Sequence, residues 1–222
     1  MREMQSELFS QNSVIGDIER QLKSRYRFAI GLDEAGRGPL AGPVYAAAVL
    51  VDLEDLDVDW LAGIDDSKKL SESARQAAHA TLVESEARFH VASRDAAAID
   101  ELNILQASLR SMEDALSMVA EELEDVVVLV DGNQRVLTDL PQITLVKGDS
   151  RSLAIAAASV LAKVGRDQEM TEHHLSWPEY GFDRHKGYPS KAHRQAIAEH
   201  GPCAIHRLTF AGVKEHADRL RA

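Results

Sequence analysis

Asp125-Val126-Val127-Val128-Leu129-Val130-Asp131-Gly132-Asn133 is an unbroken run of β-branched and aliphatic side chains, closed by an acid and a glycine. A strand that is apolar on both faces belongs in a sheet covered on both sides, the parallel-sheet pattern of α/β proteins. Two other apolar runs stop in the same way. Residues 27–32 lead into Asp33-Glu34, and residues 143–146 lead into Lys147-Gly148-Asp149-Ser150. If the three strands lie side by side and parallel, their carboxyl ends share one edge of the sheet, where open α/β folds place their sites.

The rest of the chain supplies what such a sheet needs. Residues 44–51, bounded by Pro43 and Asp52, read as a second buried strand, and residues 88–93 as a third. Ser71, Glu72 and Ser73 start a helix that runs to about residue 86. Leu105, Leu109, Met112, Leu116, Val119 and Leu123 recur every three or four residues, one apolar stripe on a helix over 103–123 with Asn103 as its N-cap. Residues 153–164 are apolar almost all round, which predicts a central buried helix. A helix over 191–200 is stopped by Gly201-Pro202. Strands and helices mix throughout, so we expect one α/β domain over 25–212 with a helical C-terminal part. Residues 1–24 read as a polar extension outside the core, partly helical around residues 15–22, and 213–222 as a polar tail.

The 222 residues, 45% hydrophobic and 27% charged, suit a globular domain with a sizeable core. No run approaches the ~20 apolar residues of a membrane span. The N-terminus lacks the basic-then-apolar pattern of a secretory signal, so a cytoplasmic location without membrane contact is expected. Cys203 is the only cysteine, which excludes a disulfide framework and a cysteine zinc site. A net charge of −11 argues against a nucleic-acid partner, but the charge is uneven. Residues 52–66 hold seven acids and no Lys or Arg, whereas Arg184, Lys186, Lys191 and Arg194 face a single acid over 183–194. A local patch can bind phosphate while the remaining surface stays acidic.

On a shared edge, Asp33, Glu34, Asp131 and Asp149 would converge. Such a cluster repels itself, but with divalent cations it becomes a cage of oxygen ligands suited to Mg²⁺ or Mn²⁺. Two ions about 3.5–4 Å apart can activate water and stabilise a leaving oxygen in phosphodiester cleavage. An Asp before Gly is also a common turn residue, but a turn does not require three buried strands to end on one edge. Gly36-Arg37-Gly38-Pro39-Leu40-Ala41 fits a dinucleotide-binding glycine pattern. That reading needs a helix to begin in the loop, and here Pro39 and Pro43 precede a strand. His173, His174, His185 and His193 match no helical zinc pair and read as surface or hydrogen-bonding residues. Cys203 reads as packing, with no base identifiable near it.

Taken in order, several stretches resemble the ribonuclease HII family. They are Gly31 through Val44, Asp66-Ser67-Lys68-Lys69-Leu70, Asp131-Gly132-Asn133, Lys147-Gly148-Asp149-Ser150, Ile155 through Val164 with Arg166-Asp167, Tyr180-Gly181-Phe182, His185-Lys186-Gly187-Tyr188, and His206-Arg207 with Phe210. The resemblance implies a ribonuclease H-like fold: a five-stranded mixed sheet flanked by helices, plus a C-terminal helical part. It implies an endonuclease that cleaves the RNA strand of RNA–DNA hybrids and nicks duplex DNA 5′ of embedded ribonucleotides. Such enzymes leave 3′-hydroxyl and 5′-phosphate ends, use Mg²⁺ or Mn²⁺ and begin ribonucleotide removal from DNA.

By position, Asp33, Glu34, Asp131 and Asp149 would be the catalytic, metal-binding carboxylates, and Asp167 structural. Gly36, Arg37 and Gly38 would read the ribose 2′-hydroxyl, the group that distinguishes RNA from DNA. Tyr188 would pack on the next deoxyribose, and Ser67, Lys68, Lys147 and Lys186 would contact phosphate. A monomer without an obligatory protein partner is expected. The alternative is a non-catalytic hybrid-binding protein of the same fold, although acids facing phosphate would serve a mere binder poorly.

Overall fold

The computed structural model describes residues 14–64 and 70–220. In chain order these form α1 (Asp17–Leu22), β1 (Phe28–Ala35), β2 (Val44–Asp52), α2 (Asp59–Ala62), α3 (Glu72–Glu84), β3 (Phe89–Arg94), α4 (Ala96–Leu102) and α5 (Ile104–Val119). There follow β4 (Val126–Asp131), β5 (Gln142–Leu145), α6 (Leu153–Ser176), α7 (Phe182–His185) and α8 (Lys191–His200). The strands build one mixed sheet in the order β3-β2-β1-β4-β5. β2 runs antiparallel to β1 and β3, while β1, β4 and β5 run parallel. The expected shared edge therefore exists. Leu32 stands opposite Val130 and Asp131 opposite Leu145, so Asp33 and Asp131 leave the ladder side by side.

Alternation along the strands divides the core between two helix layers. Ile30, Leu32, Ala46, Ala48, Val128 and Val130 face α5, where Met112, Ala115, Leu116 and Val119 complete one cluster. On the other face α6 lays Ala156, Ala157, Val160 and Leu161 against Ala47 and Val49, with Leu82 of α3 behind them. Small side chains let α6 come very close to the sheet. A Cβ on Gly31 would lie 2.1 Å from the Ala154 backbone carbonyl carbon, so only glycine admits this crossing. A Cβ there would force the backbones apart, and such overpacking typically costs about 1–3 kcal/mol or more.

Several expectations are corrected. β1 runs on to Ala35 because β2 pairs with it as far as Tyr45, so Asp33 and Glu34 belong to the strand. α6 is 24 residues long, not 12, because its second half has its own partner. There Met170 packs with Leu40, Tyr180, Phe182, Ile197, Cys203 and Val213 in the core of the C-terminal part. α4 was not expected; Asp95 caps it by accepting from the Ala98 amide. The helix expected over 103–123 keeps Asn103 as its cap but stops at Val119.

The largest correction is at the N-terminus. Residues 1–24 were expected outside the core, yet Ile18 and Leu22 of α1 are buried and pack with Ala29, Val127, Leu129, Leu145 and Ile155. A helix around residues 15–22 was expected; that it docks on the core rests on two apolar residues four apart, too few to signal burial in a polar segment. The tail is likewise tied down. Val213 is buried, and Arg219 donates to the carbonyls of Ala198 and Glu199 at the end of α8. Among the described residues no helix is long and apolar enough to cross a membrane.

Candidate active site

β1 and β4 deliver Asp33, Glu34 and Asp131 to one edge, and the turn after β5, which carries Asp149, meets Asp131 through the Gly148 amide. Asp33 is 5% exposed and Asp149 2% exposed. The Gly148 amide donates to Asp131 Oδ1 at 2.7 Å, which joins the β5 turn to the end of β4. The Glu34 amide donates to Asp33 Oδ1, also at 2.7 Å, and Arg37 Nη1 lies 3.1 Å from Glu34 Oε1. Burial, and then the like charges of Asp131 and Glu34, hold the Asp33 carboxyl well above the usual range; the Ser159 hydroxyl and the Glu34 amide offset part of this. A carboxyl crowded in this way is one that a cation would relieve.

Among the described residues, no three carboxylate, imidazole or thiolate side chains already stand in a metal-holding arrangement. Glu34 is paired with Arg37, and Asp131 accepts from the Gly148 amide. The donor set still fits a hard divalent cation, since it is all carboxylate oxygen.

Asp33, Glu34 and Asp131 line a cavity of about 300 Å³ whose other walls are Gly36, Arg37 and Gly38, the helix face carrying Ser159 and Lys163, and Arg75 and Tyr188. The loop from Gly36 to Pro43 is held from beneath by two fully buried arginines. Arg207 donates to the carbonyls of Gly36, Arg37, Pro39, Gly42 and Pro43. Arg166 donates to those of Pro43, Ala41 and Lys186. Neither needs a carboxylate, because carbonyl dipoles converging on a guanidinium take its place. Burial, and then the charge of Arg166, pushes Arg207 down to about 9. Gly36 has φ 102°, and a Cβ there would meet Arg166 Nε at 2.2 Å, so that position too requires glycine.

Tyr188 is 42% exposed and overhangs the loop, 3.8 Å from where a Cβ on Gly38 would be. Lys163 Nζ and Arg166 Cζ stand 5.7 and 5.8 Å from its ring centre, within cation–π range. Its carbonyl oxygen is 3.0 Å from His193 Nδ1, and His193 Nε2 is 3.0 Å from His206 Nε2. His206 Nδ1 in turn accepts from the Cys203 amide at 2.9 Å. One proton per ring satisfies this chain: His206 donates to His193, and His193 donates to Tyr188. His193, expected at the surface or as a hydrogen-bonding residue, is wholly buried in this second role. Cys203, expected to have no base nearby, has His206 Nδ1 3.1 Å from its Sγ, and both are buried.

The remaining expected residues are more scattered. Lys147 is exposed, in a left-handed conformation (φ 56°) on the turn before Asp149. Lys186 does not line the catalytic cavity. Its Nζ donates to Thr171 Oγ1 at 2.9 Å and to the Asp183 carbonyl. It borders a neighbouring cavity of about 390 Å³, which Arg75 also lines. Asp167 pairs with Lys163 at 2.7 Å, in keeping with a structural part. Ser67 and Lys68 lie outside the described residues. Ser159, Lys163, Arg75, Arg166 and Arg207 carried no assigned role from sequence. For three of them a signal existed: Ser159, Lys163 and Arg166 recur at i, i+4 and i+7, the first two standing alone in the apolar half of α6.

Comparison with known proteins gives one consistent answer. The family described as Ribonuclease HII matches residues 30–213. A ribonuclease HII from Geotalea uraniireducens is 50% identical over 191 residues, 86% of each chain. The ribonuclease H2 of Pyrococcus horikoshii OT3 superposes with a TM-score of 0.67 at 23% identity, covering 86% of this chain and 98% of that one. The Bst-RNase HIII structure in complex with Mn²⁺ gives a TM-score of 0.64 at 20% identity, covering 86% and 69%.

Proposed function

The chain belongs to the ribonuclease HII family and is a ribonuclease H endonuclease, and we propose that it nicks duplex DNA 5′ of embedded ribonucleotides as well as cutting the RNA strand of hybrids. The observation that carries this reading is one cavity in which Asp33, Glu34 and Asp131 face the Gly36–Gly38 loop beneath Tyr188. Acids for phosphodiester hydrolysis and a backbone surface for a ribose hydroxyl are thus a few residues apart.

Asp33, Glu34, Asp131 and Asp149 would hold Mg²⁺ or Mn²⁺, the latter being the ion in the Bst-RNase HIII complex. A pair of such ions, when bound, lowers the pKa of a water and offsets charge on the leaving 3′-oxygen. The protein does the rest by placement. Arg207 and Arg166 turn the loop carbonyls inward, which leaves its amide edge for the 2′-hydroxyl. Tyr188, braced by Lys163 and Arg166, packs on the deoxyribose that follows the ribonucleotide. Lys147, Lys163 and Arg75 offset phosphate charge along the strand. Cleavage leaves 3′-hydroxyl and 5′-phosphate ends, in the cytoplasm where a bacterial chromosome lies.

The deciding assay is incubation with a duplex carrying a single ribonucleotide, with Mg²⁺, with Mn²⁺ and with chelator. Metal-dependent nicking 5′ of the ribonucleotide is expected. Tight binding without any cut under all three conditions would instead mark a non-catalytic binder.

A further inference from the structure

Glu19 has no exposed surface, although it lies in a segment that the sequence marks as polar. It projects from α1 onto the first turn of α6. Its Oε1 accepts from Ser152 Oγ at 2.6 Å and from the Ala154 amide at 3.2 Å. Its Oε2 is buried with no hydrogen-bond partner. Burial raises the Glu19 pKa; the Ser152 hydroxyl and backbone amides pull it back. A carboxylate here also faces the positive end of a 24-residue helix, where negative charge is favoured.

What Glu19 holds is the turn that carries Asp149. Ser152 caps α6 by accepting from the Ile155 amide at 3.2 Å. The Ser152 and Arg151 amides donate back to the Gly148 carbonyl at 2.8 and 2.9 Å, which closes the turn around Asp149. The Gly16 amide, at the start of α1, donates to the Arg151 carbonyl at 3.2 Å. The turn is also tied to β4 by the Gly148 amide on Asp131 and closed by the Ser150 amide and hydroxyl on the Lys147 carbonyl. It is entered through exposed Val146 and left-handed Lys147, and its helical part is three residues long.

We infer that Glu19 is a positioning residue for Asp149: through Ser152 and the first turn of α6 it helps to fix the turn that carries this carboxylate. This rests on the reading of Asp149 as a metal-binding carboxylate. A glutamine at position 19 would keep the shape, and its oxygen could still accept from Ser152 and Ala154, but it removes the negative charge at the start of α6 and buries an NH₂ in the place of Oε2, which has no hydrogen-bond partner. Outer residues that orient metal-binding side chains are commonly worth about 10–100-fold in metal affinity. The effect here, relayed through one hydroxyl, belongs at the lower end.

The test uses the full-length protein and three variants, Glu19→Gln, Ser152→Ala and Leu22→Ala. Leu22→Ala removes core packing from the end of α1 but no atom of the Glu19–Ser152 contact, which Ile18 still anchors. Mn²⁺ binding is measured by calorimetry without substrate, well below each unfolding midpoint, alongside the midpoint itself. Glu19→Gln and Ser152→Ala should each weaken Mn²⁺ binding about tenfold, while Leu22→Ala lowers the midpoint and binds Mn²⁺ as the parent does. Unchanged Mn²⁺ affinity in Glu19→Gln and Ser152→Ala would reduce Glu19 to a helix cap and overturn the proposal, as would equal weakening in Leu22→Ala. If Glu19→Gln does not fold, Ser152→Ala against Leu22→Ala decides by the same criteria. Asp149→Asn separates the premise: Mn²⁺ affinity unchanged in that variant would refute the metal role of Asp149 itself.

Discussion

Nη2 of Arg207 donates to the carbonyl of Gly36 at 2.6 Å, joining positions 171 apart in the chain. A buried cation near the C-terminus thus sets the shape of a loop that begins at the catalytic strand.

Replacing Arg207 by Lys should expose what that contact does. An ammonium concentrates its donors at one point and cannot reach the five carbonyls that the guanidinium spans. Each abandoned carbonyl costs about 1–3 kcal/mol if it stays dry, so a loss of roughly 3 kcal/mol in urea denaturation is expected. Nicking at a single ribonucleotide should fall more than hybrid cleavage, because the loop loses its orientation. An equal fall on both substrates would show that Arg207 serves the fold alone.

Asp33→Asn and Asp131→Asn should each lower Mg²⁺-dependent nicking by at least about 10³-fold, about 4 kcal/mol of barrier, while duplex binding largely survives. Amides keep the shape but lose the charge that a divalent cation requires. Rate and binding measurements on one duplex check both halves. Near-parental turnover in either variant would refute the site.

Tyr188→Ala should impair single-ribonucleotide nicking more than uniform-hybrid cleavage, since the ring is read as packing on a deoxyribose that a uniform hybrid lacks. Tyr188→Phe keeps the ring and its two cationic neighbours and should sit nearer the parent. Ratios of initial rates on the two substrates are the measurement, and equal loss in Tyr188→Ala would count against a junction role.

Acid should destabilise the protein through its buried histidines. Burial first lowers His193 to about 4 and His206 to about 3. In the unfolded chain both take up protons below about 6.5, while the folded protein keeps them neutral until near pH 4. Unfolding between those limits takes up as many as two protons. The contribution of the two histidines is therefore fully present above about pH 6.5 and is lost as the pH drops, by at most ~2.7 kcal/mol per unit for the pair. His206→Gln should roughly halve that slope in urea titrations between pH 5 and 7.5. A slope unchanged in His206→Gln would place the proton uptake elsewhere.

The strands and the acids were legible in sequence for one reason: both are local patterns. The run from Val126 to Val130 must be buried on both faces, and an acid straight after it falls at the carboxyl edge. The ordered stretches from Gly31 to Phe210 then carried the family resemblance. The spacing of Ser159, Lys163 and Arg166 on α6 was equally local and went unassigned. The reach of β1 through Ala35 was missed because it depends on pairing with Ala46 and Tyr45 of another strand.

By itself, the sequence determined the α/β class, the acids at three strand ends and a glycine loop that prolines keep from starting a helix. Each follows from side-chain type and spacing within a few residues. Tertiary structure alone decided that Arg207 and Arg166 lie beneath that loop, that His206 reaches Tyr188 through His193, and that Glu19 caps the helix behind Asp149. These pairings join distant parts of the chain, and each places a polar group where no water can satisfy it. Only the folded geometry shows which buried partner does so.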